Sequence, residues 1–230
     1  MEHSLHRQLK DLYCADPGQH ERSIEGYRID AVSHGRLVEV QQAGLAAIRA
    51  KVQQLCQSHD VVVVKPLAAR KVLFTRPERG RDPDKVVRRL SPRRESLWHV
   101  FVDLVHFLGV FPHPRLTLHV LLVSLEEHRV TRRTRRRRDK GYRVEDRRLI
   151  DVAGRYELST ADDLRSLLPA TLPPEFTTAD LAQHAGIPRW LAQKAAYCLR
   201  QTDACRIVGK SGNSLRYARP AARSRRSRAG

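Results

Sequence analysis

Asp30, Glu39 and Gln41 are the residues whose types and spacing first point to a chemistry. Asp30 falls late in an alternating run, residues 22–32, and Ser33-His34-Gly35 is a turn signal before a second run, residues 37–41. The two runs read as a β-hairpin. Glu39 and Gln41, two positions apart, share a face of the second strand, and the turn brings Asp30 beside Glu39. Two carboxylates meeting on an otherwise apolar sheet repel each other and are costly to desolvate. A hard divalent cation relieves both costs. Mg²⁺ (or Mn²⁺) takes one or two protein carboxylates, keeps several waters and completes its shell with phosphate oxygens. It can then activate a water against a phosphodiester.

A second set of residues lies near the C-terminus. Helix Thr178–Ala185 carries Leu181 and Ala182 inward, Gly186 supplies a turn, and Pro188 starts another helix at its favoured first position. Leu191, Ala195 and Leu199 follow Ile187 at four-residue steps, which leaves Arg189, Gln193, Lys194 and Arg200 off the apolar face. Residues 205–208 and Ser214–Ala218 form a hairpin whose tip, 209–213, is bracketed by glycines. Helix, turn, helix, hairpin resembles a winged helix–turn–helix domain. The resemblance implies DNA binding: Arg189 and Gln193 on base edges, Arg200, Lys210 and Arg216 on phosphates. Trp190 and Tyr197 are expected to pack inside.

The elements around the acids read as α/β. Leu5, Leu9 and Leu12 recur at helical spacing over Ser4–Tyr13. Leu45, Ile48, Val52 and Leu55 mark a helix between Gly44 and Ser58, and Val61-Val62-Val63-Val64 is a strand buried on both faces, ended by Lys65-Pro66. Helix, hairpin, helix, buried strand, with Asp30 and Glu39-Val40-Gln41 on the hairpin, resembles the core of the PD-(D/E)XK nuclease superfamily over residues 2–65. The resemblance implies metal-dependent phosphodiester hydrolysis, with Asp30 and Glu39 as metal ligands and Glu2 in the place of an accessory acid. Gln41 stands where the family most often has lysine. CoiA-like nucleases have a similar Glu-x-Gln arrangement followed by a helix bearing a basic residue. Arg49 and Lys51 are the two basic residues here, and Lys51 is the chosen substitute. His6, His34, His59 and His99 are read as surface residues.

Further along, residues 97–108 read as a helix, 116–125 as a strand, and 144–152 and 161–168 as helices, the last capped by Ser159 or Thr160. Two breaks separate these blocks: residues 75–94, rich in Arg, Asp and Pro, and residues 131–141, where Arg135 and Arg136 belong to a run of arginines that cannot bury its charge. The expected division is therefore a nuclease-like domain at 1–130, a basic linker at 131–143, a winged helix at 144–219 and a disordered basic tail at 220–230. The fold class is an α/β restriction-endonuclease-like N-terminal domain with a mostly α C-terminal winged helix.

The chain of 230 residues carries 43 Lys and Arg against 25 Asp and Glu, a net +18, with 41% hydrophobic residues. That charge argues against a neutral metabolic enzyme and for a polyanionic partner, because lysine and arginine release condensed counterions from phosphate. DNA is the expected partner ahead of RNA. Four cysteines without a CxxC pair fit a reducing compartment. No apolar run reaches membrane-spanning length, so the expected location is cytoplasmic, on the nucleoid. The expected function is a DNA-binding Mg²⁺-dependent nuclease. The alternative is an inactive nuclease fold serving as a DNA-binding or regulatory platform. Residues 97–125 show no chemistry and are read as a sheet extension or a homodimer face.

Overall fold

The computed structural model describes residues 3–77, 86–132 and 141–220. Its N-terminal helix α1 (Ser4–Tyr13) buries Leu5 and Leu9, one turn apart on its inner face. A three-stranded meander follows: β1 (His20–Ile24), β2 (Tyr27–Ser33) and β3 (Arg36–Val40). The expected single run 22–32 is thus broken into two strands. Glu25 and Gly26 both adopt positive φ, a tight turn whose Gly26 marks it without the usual Asn or Asp before it.

A 3₁₀ turn (Leu45–Ile48) leads into α2 (Arg49–Leu55) and then β4 (Val61–Arg76). In β4 the valine run is split between faces: Val61 and Val63 join one apolar cluster, Val62 and Val64 the other. The strand does not stop at Lys65-Pro66. Gln41 donates its N–H to the Val64 carbonyl, so Pro66, two residues on, turns its missing N–H to the same side just where β3 has ended, and no ladder bond is lost.

Next come β5 (Val87–Leu90), a 3₁₀ turn running into the short α3 (Val100–Leu104), and two long strands, β6 (Leu116–Thr131) and β7 (Tyr142–Leu158). The helix expected over 97–108 is therefore shorter, and the strand expected at 116–125 forms and runs on. Residues 144–152, expected as a helix, are part of β7. The cross-strand partner decided this: Val123 faces Val152 and Leu125 faces Leu149, with bulges in β7 that bring apolar residues inward where their spacing departs from two. Thr131 pairs with Tyr142, so the expected linker joins two strands of one sheet.

The sheet has seven strands in the order β1-β2-β3-β4-β6-β7, with β5 paired to the far half of β4. β3, β4 and β6 are parallel neighbours and the rest antiparallel. One face is covered by α1 over Ala31, Val38, Val62, Leu121 and Val123. The other carries α2, α3 and the C-terminal unit.

That unit comprises α4 (Ala161–Ser166), β8 (Glu175–Phe176), α5 (Thr178–Ala185), α6 (Arg189–Gln201), β9 (Arg206–Ser211) and β10 (Ser214–Ala218), with a small sheet β8-β10-β9. Thr160 and Thr177 cap α4 and α5 by the same reciprocal device, each with an aspartate three residues on. Gly186 ends α5 at φ 62°, a left-handed conformation that glycine adopts without penalty. Pro188 is the N-cap of α6, one position before the expected place.

The expected fold class is corrected here. Among the described residues strand outweighs helix, 41% to 29%, and a seven-stranded mixed sheet extends to Leu158, so the chain is a sheet-rich protein and not a small α/β unit followed by a mostly helical winged-helix half. The C-terminal elements share one continuous core with the sheet: Leu164, Phe176, Ala195 and Leu199 cluster with Phe101 and Val120, and the Cys198 thiol reaches the Phe101 carbonyl at 3.8 Å.

Candidate functional site

The two acids sit where β2 and β3 part. Their ladder pairs Ser33 with Arg36, Val32 with Leu37 and Ala31 with Val38, and goes no further. Asp30, next in line, takes the Val40 N–H on its own carboxylate at 2.7 Å, in place of a backbone acceptor. Its other oxygen meets His6 Nε2 at 3.0 Å, across from α1. Burial alone would raise the Asp30 carboxyl. The His6 contact and the Val40 N–H outweigh it and hold the group below the usual aspartate value.

Glu39 lies on β3 opposite Val63 of β4 and is only 4% exposed. Lys51 of α2 places Nζ 2.5 Å from its Oε1 and also donates to the Arg28 carbonyl at 2.5 Å. The ion pair is close but not aligned as a hydrogen bond, so Glu39 Oε1 is a buried oxygen without a hydrogen-bond donor. Burial pushes the Glu39 carboxyl up to about 7. The Lys51 cation offsets part of this, and the charge of Asp30 adds to it. Lys51 thus pairs with Glu39, and Asp30 lies near enough for its charge to act on both.

Gln41 is in place on the chain but turned away from the acids, and its side-chain N–H donates to the Gly44 carbonyl at 2.9 Å. Glu2, Arg135 and Arg136 lie outside the described residues. Three neighbours of the acids escape the sequence reading. His6 is not the plain surface histidine expected. Lys65, buried on β4, donates to the carbonyls of Ala43 and Gln42 and pairs with Asp103 at 3.0 Å. Asp103 in turn accepts the Leu45 N–H, so Lys65 and Asp103 fix the loop between Glu39 and α2. Their sequence separation hid this. Only a charged residue interrupting an apolar strand, Lys65 after four valines, was a visible sign.

The expected DNA-contacting residues divide. Arg189 and Gln193 are exposed on α6, one turn apart, while Lys194 and Arg200 are half-buried. Arg200 lies over the Tyr197 ring at 5.6 Å. Lys210 is exposed on β9, and Arg216 on β10 is paired with Glu175 at 3.4 Å. Trp190 and Tyr197 are not packed inside: they are 48% and 39% exposed, because α6 already fills its inner surface with Leu191, Ala192, Ala195, Ala196, Cys198 and Leu199. The back of α6 packs on α3, and the Trp190 ring meets His99 edge-on.

Among the described residues, no group of three or more His, Cys, Asp or Glu is placed to hold a metal ion. A site built from Asp30 and Glu39 alone supplies two carboxylates, within what Mg²⁺ takes from protein when waters and phosphate fill the rest. Glu39 Oε1 is occupied by the Lys51 ammonium, which would have to shift for such an ion to bind. Three of the four cysteines are poor nucleophiles: burial pushes Cys56 and Cys205 up to about 11 and Cys198 up to about 12. Among the described residues no helix is long and apolar enough to cross a membrane.

Comparison with known proteins adds kinship without a chemistry. No solved structure matches the chain. A protein of Treponema pallidum (strain Nichols), described as an uncharacterized protein, is similar: 32% identical over 183 residues, which cover 79% of this chain and 72% of that one. The family described as a domain of unknown function (DUF8091) matches residues 3–159, the span from α1 to the end of β7 that holds both acids and Lys51, and the chain belongs to that family.

Proposed function

We propose that the protein is a nucleic-acid-binding, Mg²⁺-dependent phosphodiesterase whose catalytic centre is Asp30, Glu39 and Lys51. The observation that carries this reading is the meeting of an aspartate held below its usual pKa, a buried glutamate, and a lysine ammonium 2.5 Å from that glutamate at the diverging ends of β2 and β3. Asp30 and Glu39 would hold the metal, which would supply a Lewis acid and an activated water. Asp30 offers a fixed anion, held by the Val40 N–H. Glu39 would offer the second carboxylate. Lys51 would face the negative charge that develops on the phosphoryl group, a role that the neutral amide of Gln41 cannot fill. His6 and the Lys65–Asp103 pair position these groups.

The test is cleavage of plasmid DNA by the full chain with Mg²⁺ or Mn²⁺. Asp30→Ala and Glu39→Ala are expected to abolish cleavage, and Lys51→Ala to slow it by ~100-fold. Full activity in Glu39→Ala defeats the proposal.

A second reading has its own support. Gln41 is engaged with Gly44 and Glu39 is already neutralised by Lys51, as in a fold that binds DNA without cutting it. In that case the exposed Arg189, Gln193 and Lys210 of the α5–Gly186–α6 pair and its hairpin carry the contact. DNA binding indifferent to Mg²⁺ and to Asp30→Ala, with no cleavage under either metal, selects this reading.

A further inference from the structure

The far halves of the long strands build a second site. Past the end of β3, β4 continues with β5 on one side and β6 and β7 on the other. One row across this four-stranded arm reads Arg89, Leu73, Glu127, Arg147, each paired with the next. Leu121, Val123 and Leu125 of β6 lie under α1. Glu127 and Arg129 continue the same alternation beyond the helix, whose first residue, Ser4, is tied to Asp146 at 2.9 Å. The uncovered floor forms a cleft of about 390 Å³.

Its charge is lopsided. Glu127, 2% exposed, is the one acid on the walls among the described residues. It accepts from Arg129 Nε at 2.6 Å and Arg147 Nε at 2.9 Å, with Lys71 Nζ at 3.7 Å. Arg129 also lies flat on the Tyr142 ring, 3.9 Å from its centre. Arg89 and Arg93 complete the lining, and neither has an acidic partner among the described residues. One carboxylate therefore orients two guanidinium groups and leaves five cations facing one anion. Such preset, partly desolvated arginine forks match phosphate oxygens in geometry and charge.

The geometry points to this cleft as a docking site for the phosphate backbone of a nucleic acid. An extended polyanion fits better than a small phosphate ester, because the cleft is open and its unpaired cations, Arg89 and Arg93, stand on the exposed side. Lys71 lies seven residues beyond Val64, the β4 partner of Val40, roughly 23 Å along the strand from the acids at ~3.3 Å per residue. The cleft opens on the α1 face of the sheet, whereas Glu39, between Val38 and Val40, points to the α2 face, so the two sites are separate. The ligand class rests on the proposed function, but the site does not require cleavage.

Binding is read apart from cleavage by fluorescence anisotropy of a short labelled DNA duplex in EDTA, across a salt titration. Arg89→Glu/Arg93→Glu is expected to weaken binding ~10-fold and to reduce the slope of log K against log salt by about 1.8, two phosphate contacts. Arg7→Glu/Arg22→Glu makes the same charge change at exposed positions outside the cleft and is expected to leave affinity near wild type. EDTA withholds the metal, so affinity is read with cleavage off and a failed nuclease reading leaves this result standing. Equal losses in the two double variants, or no loss in the cleft variant, overturn the inference. A thermal shift with pyrophosphate completes the test: protection lost in Arg89→Glu/Arg93→Glu while duplex affinity stays unchanged assigns the cleft to a small phosphate and overturns the nucleic-acid assignment.

Discussion

Glu39 and Glu127 are two glutamates on one sheet, 4% and 2% exposed, and they are driven in opposite directions. Glu39 is pushed up to about 7: burial dominates, one lysine offsets part of it and a neighbouring aspartate makes it worse. Glu127 is held below the usual carboxylate value: burial pushes it up as well, but Arg147, Arg129 and Lys71 outweigh it. Two groups almost sealed from solvent thus become a carboxyl poised to change charge near neutrality in one place and an anion in the other. Glu39 is the more densely enclosed and has one cation beside it, whereas Glu127 has three, so depth and partner count both set the difference. The poised group suits a metal or proton site; the fixed one suits a scaffold that aims arginines.

The largest effect expected from this contrast is at the scaffold. Glu127→Ala leaves Arg129 and Arg147 facing each other without their anion, and urea unfolding at pH 7 should show a loss of about 3 kcal/mol, the cost of breaking a buried pair. Because the folded pKa is depressed, this stabilisation is present above the unfolded glutamate value near ~4.3 and fades as pH falls through the lower folded value. The gap between wild type and variant should narrow in acid. A gap that widens there breaks the contrast.

Glu39 should behave in the reverse sense. With its folded pKa raised, the native state holds more protons than the unfolded state between ~4.5 and ~7, so stability falls as pH rises through that window, by about 3 kcal/mol in total. Glu39→Gln carries no such titration, and its unfolding free energy should stay flat where that of the wild type declines. Parallel curves for the two proteins contradict the assignment. Adding Mg²⁺ in the proposed site should flatten the wild-type curve as well, since the cation favours the carboxylate.

Smaller shifts sharpen the attribution to partners. Lys51→Met removes the cation beside Glu39 and should raise its pKa by about one unit, followed by carboxyl NMR. Asp30→Asn removes the repelling charge and should lower it by ~0.5 unit. If the two substitutions move the group in the same direction, neighbouring charge is not what sets it.

The acid site was legible because local pattern carried it. Alternation and the Ser33-His34-Gly35 turn put Asp30 and Glu39 beside each other, and helical spacing put Lys51 on the right helix. The same reading missed His6, since α1 and β2 meet only after folding, and it missed Lys65 and Asp103, joined across 38 positions of chain. The basic cleft was invisible for a related reason. Residues 75–94 and 131–141 looked like breaks because they are crowded with charge, yet β5 lies within the first, and with β4 and the strands flanking the second it brings Lys71, Arg89, Glu127 and Arg147 into one concave surface. Residues 144–152 were misread for want of knowing β6, whose apolar face makes a strand of a sequence with ambiguous period.

By itself the sequence determined a strongly basic chain, the valine strand at 61–64, the glycine turn between α5 and α6, the threonine caps, and two acids meeting across a turn. These follow from forces acting within a few residues: φ preferences, capping hydrogen bonds and the two-residue period of a pleated strand. Tertiary structure decided the extent of the seven-stranded sheet, the docking of α6 on α3, and the charge state of each buried glutamate. Those depend on which groups share a desolvated space, and in such a space the free energy of a charge is set by neighbours that sequence distance does not disclose.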